Sequence, residues 1–68
     1  MLDYPKYPHI RIDARKMSNA PSPMRYMTDA MQAAGISRPE IAEFKLEVAN
    51  AHTVNGRFTV FQNWLMME

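Results

Sequence analysis

The sequence predicts a small α+β domain, with one N-terminal strand followed by two or three short helices, assembled as a homo-oligomer. Three observations carry this. His9 to Ala14 alternates polar and apolar residues without a break. Behind it, helix-start residues introduce segments whose apolar positions recur at spacings of three and four. The chain has 68 residues and no cysteine, so it forms one domain, residues 1–68, whose modest core leaves little net stability.

Small domains reinforce themselves with disulfides, a metal or a partner subunit. The missing cysteines remove the first option and thiolate metal sites with it. His9 and His52 have no carboxylate at ligand spacing, so neither a metal nor any other cofactor is expected. Self-association is what remains.

Taken in order, residues 1–8 contain Pro5 and Pro8, which favour an extended lead-in. In the strand, Ile10, Ile12 and Ala14 point one way and His9, Arg11 and Asp13 the other, the pattern of a half-buried ribbon. Such a strand needs a partner: the tail, a hairpin from residues 44–61, or another chain. Residues 15–23 are rich in breakers and predict a loop. Ser22 then serves as N-cap, with Pro23 at the first helical position. Met24, Met27, Met31 and Ala34 form the apolar face of this first helix, with Arg25, Thr28, Asp29 and Gln32 opposite and Gly35 closing it.

Ser37-Arg38-Pro39-Glu40 reads as a capping box, with Ile36 and Ile41 at the positions of a hydrophobic staple. The helix it starts runs from 38 to about 50, with Ile41, Phe44 and Val48 as its core stripe. Leu46 lies with Ala42 and Ala49 on a second face, which points to a subunit interface. Two readings remain open beyond it. Asn55-Gly56 followed by Arg57-Phe58-Thr59-Val60 suits a hairpin. Phe58, Phe61 and Leu65, with Trp64 beside them, instead recur at helical spacing. Met66 and Met67 would be exposed unless a neighbour covers them, and Leu46, Trp64 and Met66 are the expected interface residues.

The blocks Tyr7-Pro8-His9-Ile10-Arg11-Ile12-Asp13, Ala33-Ala34-Gly35-Ile36-Ser37 and Glu40-Ile41-Ala42-Glu43-Phe44 resemble a group of small β-α-α proteins encoded by phages and prophages. Asn19-Ala20, Glu47 and the stretch Phe61 to Leu65 extend the resemblance over about residues 7–65. The chain departs from the pattern at Ala51 to Gly56, where an acidic, tyrosine-containing turn is expected, and at Met17-Ser18, where a glycine is expected. The resemblance implies a β-α-α(-α) fold and a viral context, and it supplies no catalytic signature.

Composition narrows the function further. Eight Lys and Arg against seven Asp and Glu give a net charge of +1, too balanced for a nonspecific DNA coat. No apolar run approaches the ~20 residues of a membrane span, and the N-terminus lacks the basic and apolar regions of a signal peptide. A cytoplasmic protein with no membrane partner is expected, in the host cell if the chain is viral.

Ser22 and Ser37 read as capping residues rather than nucleophiles, and Glu40, Glu43 and Glu47 as a solvated helical row rather than paired acids. With only Gly35 and Gly56 there is no phosphate-cradling glycine loop. The expectation is a protein that is not an enzyme.

Binding is the remaining class. Lys6, Arg11, Arg15 and Lys16 crowd one segment with Asp13 as the only acid among them, and Arg25 begins the first predicted helix, where free amides favour anions. Arginine forks match phosphate and carboxylate geometry. Arg11, Arg15, Lys16 and Arg25, with His9 and Tyr26, are the candidate ligand-binding residues, and Tyr4 and Tyr7 are further stacking candidates. The expected function is stoichiometric binding in counter-defence, by capture of a small phosphorylated or nucleotide signal or by blocking a host protein. The alternatives are a phage accessory protein that binds nucleic acid, and a structural or assembly module.

Overall fold

The computed structural model describes residues 5–68. It is a mixed α+β domain in the order β1 (Tyr7–Ile12), α1 (Ala14–Asn19), α2 (Pro23–Ala33), α3 (Arg38–Asn50), α4 (Val54–Trp64) and β2 (Leu65–Met67).

The two strands pair in parallel, with Tyr7 opposite Leu65, Arg11 opposite Met66 and Ile12 opposite Met67, and with an irregularity between Tyr7 and Arg11. Pro8 lies in that irregular stretch, where its missing N–H costs no ladder bond. Glu68 N–H donates to Ile12 C=O at 2.8 Å, and Ala14 N–H donates to Glu68 C=O at 2.9 Å. Of the three strand partners open to the sequence, the chain therefore uses its own tail. Pairing within the monomer does not call for a second copy.

The stretch expected as a loop over 15–23 holds a helix. Asp13 is its N-cap, and one carboxylate oxygen, Oδ1, accepts from the amides of Arg15 and Lys16 at 2.9 and 3.1 Å. The cap turns the chain at once, and Met17 goes into the core. The breakers Pro21 and Pro23 act only after this turn of helix has been completed.

Helix α2 starts as its sequence indicates, with Ser22 Oγ accepting from the Arg25 amide at 3.3 Å and Pro23 in the first turn. Met27 and Met31 are fully buried, whereas Met24 is half-buried and Ala34 exposed. Thr28, assigned to the polar face, is buried, and its hydroxyl donates to the Arg25 carbonyl at 3.3 Å. Gly35 ends the segment at φ 85°, a conformation that carries no steric cost without a Cβ.

In α3 the boundaries and the buried stripe of Ile41, Phe44 and Val48 match the periodicity. The capping box does not form. Ser37 makes no side-chain cap, and the Glu40 carboxylate is turned toward Tyr7 and Lys6 rather than back to the Ser37 amide.

The hairpin reading of 44–61 is replaced by α4. Thr53 Oγ1 accepts from the Gly56 amide at 2.9 Å, so Asn55-Gly56 forms part of a capped first turn rather than a tight hairpin turn. A Cβ on Gly56 would meet Thr53 Oγ1 at 3.0 Å, so a small residue there keeps the cap close.

The core gathers Ile10 and Ile12 from β1, one methionine from α1, two from α2, the α3 stripe, Trp64 and Leu65. At its centre Phe44 lies 5.6 Å from Trp64 and 6.2 Å from Phe61 between ring centroids, and Tyr7 lies 6.0 Å from Trp64. These edge-on and tilted arrangements suit the charge distribution of aromatic rings.

Candidate binding surface

The candidate ligand residues divide among three places. Arg25 and Tyr26 sit in the first turn of α2, where the short link Ala20-Pro21-Ser22 from α1 leaves a cleft of about 340 Å³ lined by these residues and Asp29. On the other flank of α2 a second cleft, about 390 Å³, reaches toward Ile41 and Lys45 of α3. Ser22, Arg25 and Asp29 border both. Arg25 Nε lies 3.8 Å from Asp29 Oδ2, and both side chains are largely exposed. Such an exposed pair is weak in water.

His9 and Arg11 lie on the solvent side of β1. Arg11 Nη1 is 3.5 Å from Glu68 Oε2, and the His9 ring meets the Tyr7 ring edge-on at 6.2 Å. Arg15 and Lys16 are exposed on α1, border neither α2 cleft, and form no ion pair among the described residues. The basic segment is thus spread along an edge instead of being closed into one pocket. Tyr4 lies outside the described residues.

Lys6 has a different job from the one its place in the basic segment suggests. Its Nζ lies 3.4 Å from Glu40 Oε2 and 4.3 Å above the Trp64 ring, an ion pair joined to a cation–π contact. The Tyr7 hydroxyl donates to the same carboxylate oxygen. About two turns further along α3, the Trp64 indole N–H donates to Glu47 Oε1 at 3.0 Å.

Glu40 and Glu47 therefore form a polar seam that ties β1 and α4 to α3, where the sequence suggested only a solvated face. The hydrogen bond to Glu40, followed by desolvation, pushes the Tyr7 hydroxyl up to about 12. The same hydrogen bond, aided by Lys6, holds the Glu40 carboxyl below its ordinary value despite some desolvation.

Among the expected interface residues, Leu46 is 61% exposed and Met66 half-buried, but Trp64 is only 4% exposed and belongs to the core of its own chain. The sequence reading missed an apolar groove of about 320 Å³ between α1, the start of α2 and α4, lined by Met17, Pro23, Val54, Phe58 and Phe61 with Arg57 at its side. The Phe58–Phe61 spacing was its one visible sign, and the helix carrying Met17 was not expected.

No three His, Cys, Asp or Glu side chains converge among the described residues, and no described helix is long and apolar enough to cross a membrane. Comparison with protein-family models, curated proteins and solved structures found no match.

Proposed function

We propose that this chain is a non-enzymatic binding protein of viral type that works as a homo-oligomer and acts stoichiometrically in counter-defence by capturing a small phosphorylated ligand. The observation that carries the capture reading is the position of Arg25. Arg25 borders two adjoining clefts at the N-terminal end of an 11-residue helix and, among the described residues, its guanidinium is held only by an exposed aspartate. A phosphate entering there would exchange a weak ion pair for a two-point contact with the arginine fork. Tyr26, half-buried on the same cleft, offers a ring for a base to stack on. Arg11, Arg15 and Lys16 would add attraction from the neighbouring edge without touching the ligand.

The viral and counter-defence parts of this reading rest on the resemblance of the strand and helix-junction blocks alone. Blocking of a host protein is a second reading, favoured by the apolar groove beside α4 and by Val54, which is 79% exposed at its rim. Nucleic-acid binding is disfavoured because Lys6, Arg11 and Arg25 each face a carboxylate, which breaks up a continuous basic stripe.

The test is calorimetric titration of a nucleotide panel into the wild type, Arg25→Glu, and the double variant Arg11→Glu/Arg15→Glu. Binding that is abolished by Arg25→Glu and weakened by the double variant, with circular dichroism unchanged, supports capture. Binding that survives Arg25→Glu sinks it. No binding by the wild type transfers the weight to a host protein.

A further inference from the structure

Among the described residues, the two-stranded sheet leaves β1 with one paired edge and one unpaired edge. Ile12 C=O and Ala14 N–H are turned toward β2 by their bonds to Glu68. In a parallel ladder successive residues face opposite edges, so the N–H and C=O of Arg11 and the N–H of Asp13 face away from β2. No further strand lies on that side among the described residues. The free stretch is short and bracketed: Pro8 and the ladder irregularity close it at one end, and the start of α1 at Ala14 closes it at the other.

We propose that this edge pairs with the same edge of a second copy, antiparallel about a two-fold axis at Arg11, to give a four-stranded sheet ordered β2-β1-β1-β2. The inference deepens the self-association in the proposed function by naming its surface, and it is independent of which ligand the clefts take. Antiparallel pairing centred on Arg11 brings His9 of each copy toward Asp13 of the other, with His9 inside the irregular stretch and Asp13 just past the end of β1. The Asp13 carboxylate caps α1 through Oδ1 alone. Its Oδ2 takes no hydrogen bond among the described residues and is left for the facing imidazole.

Arg11 opposes its own copy, a repulsive pairing for a bare charge. Each Arg11 carries its own counter-ion, Glu68 at 3.5 Å, which offsets that repulsion. A foreign strand could satisfy the backbone groups equally well. The match of His9 with Asp13 is self-complementary only in the two-fold arrangement, which is why a second copy is the occupant.

The pairing also accounts for the length of the free stretch. An edge closed at both ends by Pro8 and α1 joins two copies and stops, since the remaining edge of the sheet is the three-residue β2. The product is a closed dimer and not a fibre.

Sedimentation equilibrium and two variants test this. The wild type is expected at twice the chain mass. Arg11→Cys is expected to cross-link to itself under mild oxidation, since directly opposed hydrogen-bonded residues have Cα atoms about 5.5 Å apart, within disulfide reach. Arg38→Cys, on the exposed start of α3, is the control and should remain largely uncross-linked. Arg11→Pro removes an outward N–H that β2 does not use, and should halve the mass while leaving the helical signal intact.

A wild-type monomer overturns both the edge and the self-association, and leaves ligand capture standing. A wild-type oligomer whose Arg11→Cys variant cross-links no faster than the control overturns the edge alone. So does a folded Arg11→Pro variant that keeps the wild-type mass. If Arg11→Pro fails to fold, the cross-linking comparison decides.

Discussion

The junction of β1, α3 and α4 and the corner between α1 and α2 are built on opposite plans. At the junction, Tyr7, Phe44, Phe61 and Trp64 pack around one another, and polar groups at the rim are tied to α3: the Tyr7 hydroxyl and Lys6 on Glu40, and the Trp64 indole on Glu47. At the corner, polar side chains mostly cap helix ends, the one ion pair is exposed, and clefts open on both flanks of α2. The difference teaches where this small chain keeps its stability and where it leaves surface open. Aromatic packing with satisfied polar ties holds the fold together. A corner built from caps holds its shape with little buried area, and leaves a cationic side chain that can change partners.

The largest expected break in that contrast is Phe44→Ala. Truncating a fully buried aromatic residue costs about 3–5 kcal/mol, a large share of what so small a domain has. The variant should be largely unfolded in a urea titration followed by circular dichroism. A wild-type midpoint would mean that the junction is not the seat of stability.

Asp13→Ala sharpens the comparison from the other side. It removes the cap of α1 at a cost of about 1 kcal/mol, and amide hydrogen exchange should quicken over residues 14–19 more than over 38–50. Uniform quickening would show that the corner and the junction unfold as one unit.

The smallest effect is the pH dependence of the seam. Glu40 has a depressed folded-state pKa, so its contribution is present at neutral pH and is lost as pH falls below the ordinary carboxylate range. Tyr7 is shifted upward, so its contribution is complete below pH 10 and disappears as pH rises toward about 12. Glu40→Gln should flatten both limbs of the stability–pH curve, read from Trp64 fluorescence during denaturation. Unchanged limbs would remove Glu40 from the seam.

Strong local patterns were legible in the sequence. The alternation from His9 to Ile12, the Ser22-Pro23 start, the glycine at 35 and the Ile41-Phe44-Val48 stripe all express a period or a backbone requirement that acts within a few residues. Effects of distant partners were hidden. Glu40 looked like half of a capping box until Tyr7 and Lys6, more than thirty positions earlier, competed for it. Trp64 looked like interface because nothing local announces that β1 and Phe44 close over it.

Helix α1 was missed for a different reason. Six residues carry too little periodicity to be seen, and the prolines after them suggested a loop. At the candidate site, Arg25 and Tyr26 share the first turn of α2, as the Ser22-Pro23 start indicated. Their separation from Arg15 and Lys16 depends on a turn of helix that the pattern did not reveal.

The pairing of β1 with β2 makes nearly the whole chain one closed loop, fastened by a three-residue strand at one side. Closing so long a loop has a high entropic cost relative to the few bonds it forms. The sheet is therefore a clasp whose closure is favoured once the helices have drawn their ends together. Anything that grips the outer edge of β1 also steadies that clasp, so that occupancy of an outer surface is coupled to closure of the loop.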